Sequence, residues 1–321
     1  MAPQASSVLR RLARAAVILL ACVLLLSCNP PNYPTKPIEL KYYSNGPWTV
    51  TVSIGSYCCD SAGNKFDVYY PSSPAPPTGG FPILTWGNGT NSTSTNYTFF
   101  LKHMASWGFV VVSAQDKNSG SGQTILDAAN FMIAQNAVPG PFQGKLNVNQ
   151  VGAFGHSQGA GGSINALIKS AGLIKTVMPI ELPAQVFCLI PADCPDTAHL
   201  VQGTIFLLDG SLDVPISPPT QPATTGGLQS IDAFYKVVPL GIVKVKGTLV
   251  GTTHNDVQGS PSCTGATVPC LLGVYGYLGY PTAWMSYQLQ NDNYAHGAFV
   301  NGTGEIFSET QNWQHVASTV P

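Results

Sequence analysis

Val151-Gly152-Ala153-Phe154-Gly155-His156-Ser157-Gln158-Gly159-Ala160-Gly161-Gly162-Ser163 is the stretch on which the fold turns. Val151 to Phe154 reads as a buried strand, and the small residues from Gln158 onward open a helix that runs to Lys169. Between them Gly155-His156-Ser157-Gln158-Gly159 makes a turn so crowded that a side chain at either glycine would block it. Such a turn lifts a serine hydroxyl clear of the sheet edge, where a second molecule can reach it.

Outward from this point, short β-branched and aromatic runs alternate with helical patterns, which predicts an α/β sheet wound by crossover helices. Trp48 to Ser56 alternates with period two, and Phe66 to Tyr70 suits its antiparallel partner. Phe81 to Trp86 and Phe109 to Ser113 are apolar runs of strands covered on both faces. Thr176 to Leu182, Thr204 to Leu208 and Val243 to Val250 supply further strands. Helices are expected over Tyr97 to Trp107, ended by Gly108, over Thr124 to Asn136, over Ser230 to Val238, and over Thr282 to Asn291, which closes the fold. The expectation is one domain, residues 38–321, with a mostly parallel sheet of about eight strands and helices on both faces.

A serine hydroxyl attacks only when a base takes its proton, and that base needs an acid to hold its tautomer. After Ser157, the strand Thr204 to Leu208 leads into Asp209-Gly210-Ser211-Leu212-Asp213, and Val243 to Val250 leads into Gly251-Thr252-Thr253-His254. Both loops leave the carboxyl ends of strands, the edge where open α/β sheets bind ligands. His254 is therefore the candidate base. Asp213 is preferred over Asp209 as the acid, because Asp209-Gly210 suits an Asx turn. His156 is read as a packing residue of the turn, and Asp193 and Asp196 as solvated. Developing negative charge on a reacting oxygen needs two backbone N–H donors. Gln158 would supply one, and Trp86-Gly87-Asn88-Gly89-Thr90 the other, with Gly89 first and Asn88 or Thr90 next.

The strand ending Trp86-Gly87-Asn88-Gly89-Thr90, the segment Ala105 to Val112, Gly155 to Gly162, Asp213 before Val214-Pro215, and His254 together resemble the α/β-hydrolases that include bacterial cutinase-like polyester hydrolases and dienelactone hydrolase relatives. The likeness spans roughly Tyr43 to Trp313. It implies an α/β-hydrolase fold, a serine carboxylic-ester hydrolase acting through an acyl-enzyme, no cofactor, and the roles already set out: Ser157 nucleophile, His254 base, Asp213 acid, Gly89 and Gln158 oxyanion donors. Those polyester hydrolases usually carry Pro-Gly-aromatic in the oxyanion loop and a Trp after the sixth strand. Here Gly87-Asn88-Gly89 and Met178-Pro179-Ile180-Glu181 stand instead, which favours aliphatic over aromatic polyester. Ser157 itself departs from the cysteine typical of dienelactone hydrolases. A non-catalytic surface lipoprotein that keeps the fold as a binding module, and an acyltransferase, are the rival readings. No lid helix is visible, so Trp86, Ile180 and Val214 are expected to line a shallow, open cleft for short acyl esters.

The N-terminus bears on location. Arg10, Arg11 and Arg14 precede twelve apolar residues, Ala15 to Leu26, too few to span a bilayer that needs about 20 but suited to a signal-peptide core. Leu25-Leu26-Ser27-Cys28 resembles a bacterial lipobox, which implies a signal peptide over residues 1–27, lipidation of Cys28 and attachment to the cell envelope by that lipid, with plain secretion as the alternative. Residues 28–37, rich in proline, read as an extended tether. Six cysteines remain, an even number that favours disulfides in an exported chain. Cys188 with Cys194 and Cys263 with Cys270 are plausible local pairs, while adjacent Cys58 and Cys59 could join only through a small ring and their partners stay open. No metal-ligand spacing occurs. With 14 basic against 15 acidic residues and only 9% charged, the chain offers no electrostatic footprint for nucleic acid. Oligomeric state is not readable.

Overall fold

The structure is a computed structural model that describes residues 30–221, 226–258, 261–263 and 270–321. The chain separates into Met1–Pro31 and Asn32–Pro321, and every element below belongs to the second unit. The expected signal peptide and Cys28 lie outside the described residues.

Among the described residues nine strands form one sheet: β1 (Thr49–Tyr57), β2 (Phe66–Ser73), β3 (Phe81–Gly87), β4 (Val110–Ala114), β5 (Leu146–His156), β6 (Ile174–Ile180), β7 (Thr204–Gly210), β8 (Val243–Leu249) and β9 (Trp313–Ser318). Their order is β1-β2-β4-β3-β5-β6-β7-β8-β9. The six central strands, β4 to β8, run parallel, while β1, β2 and β9 pair antiparallel at the edges. The helices are α1 (Pro37–Tyr43), α2 (Thr98–Ser106), α3 (Gln123–Gln135), α4 (Gln158–Lys169), α5 (Ile231–Val237), α6 (Gly279–Gln290) and α7 (Asn293–His296). This is the α/β-hydrolase arrangement expected from the sequence.

Successive strand residues face opposite sides, so each central strand feeds two cores. Leu84, Val111, Phe154, Met178 and Phe206 join one, with Phe100 and Leu101 of α2 and Trp284 of α6. Ile83, Val112, Ala153, Val177 and Ile205 join the other, with Ala128 of α3, Ile164 of α4 and Phe234 of α5. Each large side chain buried this way contributes about 1.5–3 kcal/mol.

Three features depart from the expectation. The sheet has nine strands rather than eight, because β9 follows the helix expected to close the fold; Trp313 at its start is buried beside Phe206 and Tyr280. A first helix, α1, opens at Pro37, which tolerates the N1 position because that N–H has no intrahelical acceptor. The proline-rich tether meets the body before Ile38: Asn32 Nδ2 donates to the Val250 carbonyl at 2.8 Å, and Asn312 Nδ2 to the Tyr33 carbonyl at 2.8 Å.

Candidate active site

Strand β5 ends at His156 and α4 starts at Gln158, leaving Ser157 to make the whole turn at φ 55° and ψ −122°. A non-glycine residue there stores about 1–3 kcal/mol of strain. Close packing holds it. A Cβ on Gly155 would lie 2.3 Å from the Gly159 carbonyl oxygen, and one on Gly159 would lie 2.2 Å from that of Gly87. Both glycines of the motif are thus required where β3, β5 and α4 cross. The Ser157 N–H bonds to the Ile180 carbonyl at 3.0 Å, tying the turn to β6.

The loops after β7 and β8 bring Asp213 and His254 to the same place. His254 lies 2.5 Å from Asp213 Oδ2 through Nδ1 and 2.8 Å from Ser157 Oγ through Nε2. A carboxylate only accepts, so Nδ1 carries the proton and Nε2 accepts from the serine hydroxyl. Asp213 and His254 are both buried, which keeps water from competing for these bonds. Asp209 points elsewhere: its Oδ1 accepts from Thr248 Oγ1 at 2.7 Å, and burial raises its carboxyl well above the ordinary range.

Glu181, which sequence reading gave no role, lies beneath this group. It accepts from Tyr277 Oη and from the Gly210 N–H at 3.0 Å. Burial, then the neighbouring Asp213 and Asp209, pushes its carboxyl well upward. Oxygen and nitrogen atoms of Glu181, Asp213 and His254 fall within 4.8 Å of one another, as do ligand atoms of Asp256, Cys263 and Cys270. Neither set suits a metal ion. The first is a hydrogen-bonded acid–base group, and in the second both cysteines are spent in a disulfide while Asp256 Oδ1 accepts the N–H groups of Leu271, Leu272 and Gly273. Asp256 Oδ2 accepts from Thr253 Oγ1 at 2.8 Å, so this carboxylate fixes the loop that presents His254.

His156 does more than pack. Its Nε2 is 2.7 Å from the His254 carbonyl, and its Nδ1 is 2.9 Å from Tyr97 Oη. A carbonyl cannot donate, so Nε2 is the protonated nitrogen and Tyr97 donates to Nδ1. Complete burial, then the nearby His254, pushes the His156 pKa well below its usual 6.5, consistent with this neutral tautomer. Tyr97 Oη in turn accepts the Gly89 N–H at 3.2 Å.

That bond removes Gly89 as an oxyanion donor, contrary to the first choice from sequence. The Asn88 side chain braces the same loop: Oδ1 accepts from Trp86 Nε1 at 3.0 Å, and Nδ2 donates to the Ala114 and Asp116 carbonyls at 2.8 and 2.9 Å. Thr90 instead borders the cavity of about 370 Å³ that holds Ser157 and Gln158. Gln158, as the first residue of α4, has a backbone N–H with no intrahelical acceptor. Leu182, Phe187, Leu189, Ile190 and Ile216 give this cavity an apolar wall. Asp193 also lines it, its Oδ2 accepting from Gln158 Nε2 at 3.2 Å, where sequence reading placed it in solvent. Trp86 and Ile180, expected at the cleft, are core residues with at most 1% exposure, while Val214 is 56% exposed.

Disulfides join Cys188 to Cys194, which staples the cavity wall, Cys263 to Cys270, and the adjacent Cys58 and Cys59.

Residues 33–185 match the PET hydrolase-like family. The chain is 26% identical over 214 residues to a bis(hydroxyethyl) terephthalate hydrolase of Streptomyces coelicolor, an alignment that covers 64% of this chain and 64% of that relative. The family match contains Thr90, Ser157 and Gln158 but stops before Asp213 and His254, whose placement rests on the geometry above. The sheet has the α/β-hydrolase arrangement, and these matches make the chain similar to the PET hydrolase-like polyester hydrolases.

Proposed function

We propose that the chain hydrolyses carboxylic esters through a Ser157–His254–Asp213 triad. The observation that carries this reading is His254 bridging Ser157 Oγ and Asp213 Oδ2 at 2.8 and 2.5 Å. In acylation Ser157 Oγ attacks the carbonyl carbon as its proton passes to His254 Nε2. The carbonyl electrons move to oxygen, which the Gln158 and Thr90 N–H groups receive. Collapse expels the alkoxide, which takes the proton from Nε2 and leaves as the alcohol. Water then repeats the sequence on the acyl-enzyme, so ester and water become acid and alcohol. Asp213 holds the tautomer and offsets the imidazolium charge.

The preferred substrates are short acyl esters, and aliphatic polyester chains that lie along the apolar wall; nitrophenyl butyrate should be cut more efficiently than palmitate, without activation at an oil–water interface. Sheet and motif leave acyl transfer to an alcohol open as a variant of the same chemistry, since only the second acceptor differs. Three disulfides suit an oxidising compartment. Among the described residues no helix is long and apolar enough to cross a membrane, and attachment through lipid on Cys28 is part of this proposal. Exposure of the purified protein to a fluorophosphonate probe tests the reading. Mass spectrometry should find the phosphonyl adduct on Ser157, and absence of labelling on the folded protein would favour the binding-module alternative.

A further inference from the structure

Resting on that ester-hydrolase reading, we infer that Asp193 is a specificity-determining residue that turns the cleft against esters bearing a second, anionic group and toward those bearing a neutral or cationic donor. The cavity beside Ser157 is walled mainly by apolar side chains, and Asp193 is the one ionisable carboxylate among the described residues that line it. Its position is built rather than incidental. Gly120 lies beneath it, with room for no Cβ, which would fall 2.8 Å from Gln158 Cγ and 2.9 Å from the Asp193 carboxyl. Gln158 Nε2 donates to Oδ2 at 3.2 Å. The Cys188–Cys194 bridge fixes the backbone next to it.

Oδ2 is thereby turned toward the residue whose backbone N–H faces the reacting oxygen, and Oδ1 makes no hydrogen bond among the described residues and is free to accept from a substrate hydroxyl or ammonium group. Burial raises the Asp193 carboxyl above its ordinary value, the Gln158 amide lowers it, and of the nearby charges Asp116 raises it while Lys169 lowers it. A free carboxylate on the substrate faces repulsion at both ends of its passage: it loses water against the apolar wall and meets Asp193 there. A diester whose remote end is capped meets no such barrier, but its half-ester product does. The product of the first cleavage would therefore leave rather than be cut again.

The test compares purified wild type with Asp193→Asn and Asp193→Glu on two matched pairs of esters. In one pair the charge sits on the acyl side, mono-4-nitrophenyl succinate against 4-nitrophenyl butyrate. In the other it sits on the alcohol side, carboxymethyl butyrate against ethyl butyrate. The readout is the ratio of kcat/KM, anionic over neutral, in which any general loss of activity cancels. Like charges several ångströms apart in a half-solvated cleft correspond to a factor of about five to ten, so Asp193→Asn should raise the ratio by about that much in at least one pair. Asp193→Glu should keep it low, and added salt should raise the wild-type ratio while leaving that of Asp193→Asn flat. An unchanged ratio in both pairs, from a folded variant that still cuts the neutral esters, overturns the role of Asp193. Failure of wild type to cut any of the four esters would instead overturn the hydrolase reading on which it rests.

Discussion

His156 Nε2 donates to the backbone carbonyl of His254 at 2.7 Å, so the residue beside the proposed nucleophile holds the residue that would receive its proton. The same imidazole accepts from Tyr97, and Tyr97 accepts from Gly89. One buried chain of hydrogen bonds therefore ties the oxyanion loop, the serine turn and the His254 loop together, and each of its members restricts the geometry of the next.

Tyr97→Phe removes the middle of that chain and leaves His156 Nδ1 and the Gly89 N–H unpaired. Each unmade buried bond costs about 1–3 kcal/mol, so denaturant unfolding should show a loss of that order. The positioning role is read separately: kcat on nitrophenyl butyrate should fall about tenfold with KM nearly constant, because the reacting groups shift while the apolar wall remains. Lowered stability with undiminished kcat would mark the chain as structural support alone.

The two aspartates of the β7 loop should separate cleanly. Asp213→Asn cannot hold the Nδ1–H tautomer of His254 and should cost about 10⁴ in turnover. Asp209 accepts from Thr248 and does not meet His254, so Asp209→Asn should cost less than about tenfold. Steady-state kinetics of the two variants decide the order, and the reverse ranking would transfer the acid role to Asp209.

For the proposed oxyanion loop, Thr90→Pro deletes the backbone N–H of the loop residue that borders the cavity. Loss of one such donor costs about 10²–10³ in kcat, and circular dichroism would show whether the fold persists. A kcat within a factor of about five of wild type would mean that Thr90 does not donate.

Acid should destabilise the protein through His103. Burial lowers its pKa from 6.5 to about 4, and His156 moves in the same direction. A histidine whose folded pKa lies below its unfolded value contributes stability that is fully present above about pH 6.5 and is lost as pH falls toward 4. The shift for His103 amounts to about 3 kcal/mol at most. Urea unfolding at pH 7 and pH 4.5 should therefore show a smaller drop in stability for His103→Gln than for wild type. Equal drops would show that His103 does not titrate in this way.

The serine turn, the parallel core of the sheet and the loops that leave β7 and β8 beside it were legible because each leaves a local mark: a glycine that no side chain can replace, an apolar run, a polar loop after a strand. β9 leaves almost none, since its burial alternates poorly and only Trp313 and Val316 of its side chains pack on the apolar core. The engagement of the Gly89 N–H could not be read, because it depends on Tyr97, whose hydroxyl also meets His156 59 residues further on. Trp86 and Ile180 read as cleft residues from their place at strand ends, but both side chains turn into the core, where Trp86 packs on Tyr97, Phe100 and Phe154. Asp193 and Asp256 are placed by partners outside their own turns, Gln158 for the first and Leu271, Leu272 and Gly273 for the second. Spacing along the chain carries no record of that.

The central claim, that Ser157 is the nucleophile of an ester hydrolase, is met most directly by turnover of 4-nitrophenyl butyrate in purified wild type and Ser157→Ala at equal concentration. The triad acts as a unit, and what remains without its serine is the small contribution of the oxyanion donors and binding. The account predicts a fall of about 10⁴ or more in kcat with an unchanged unfolding midpoint. A variant that keeps activity within about tenfold of wild type would contradict it.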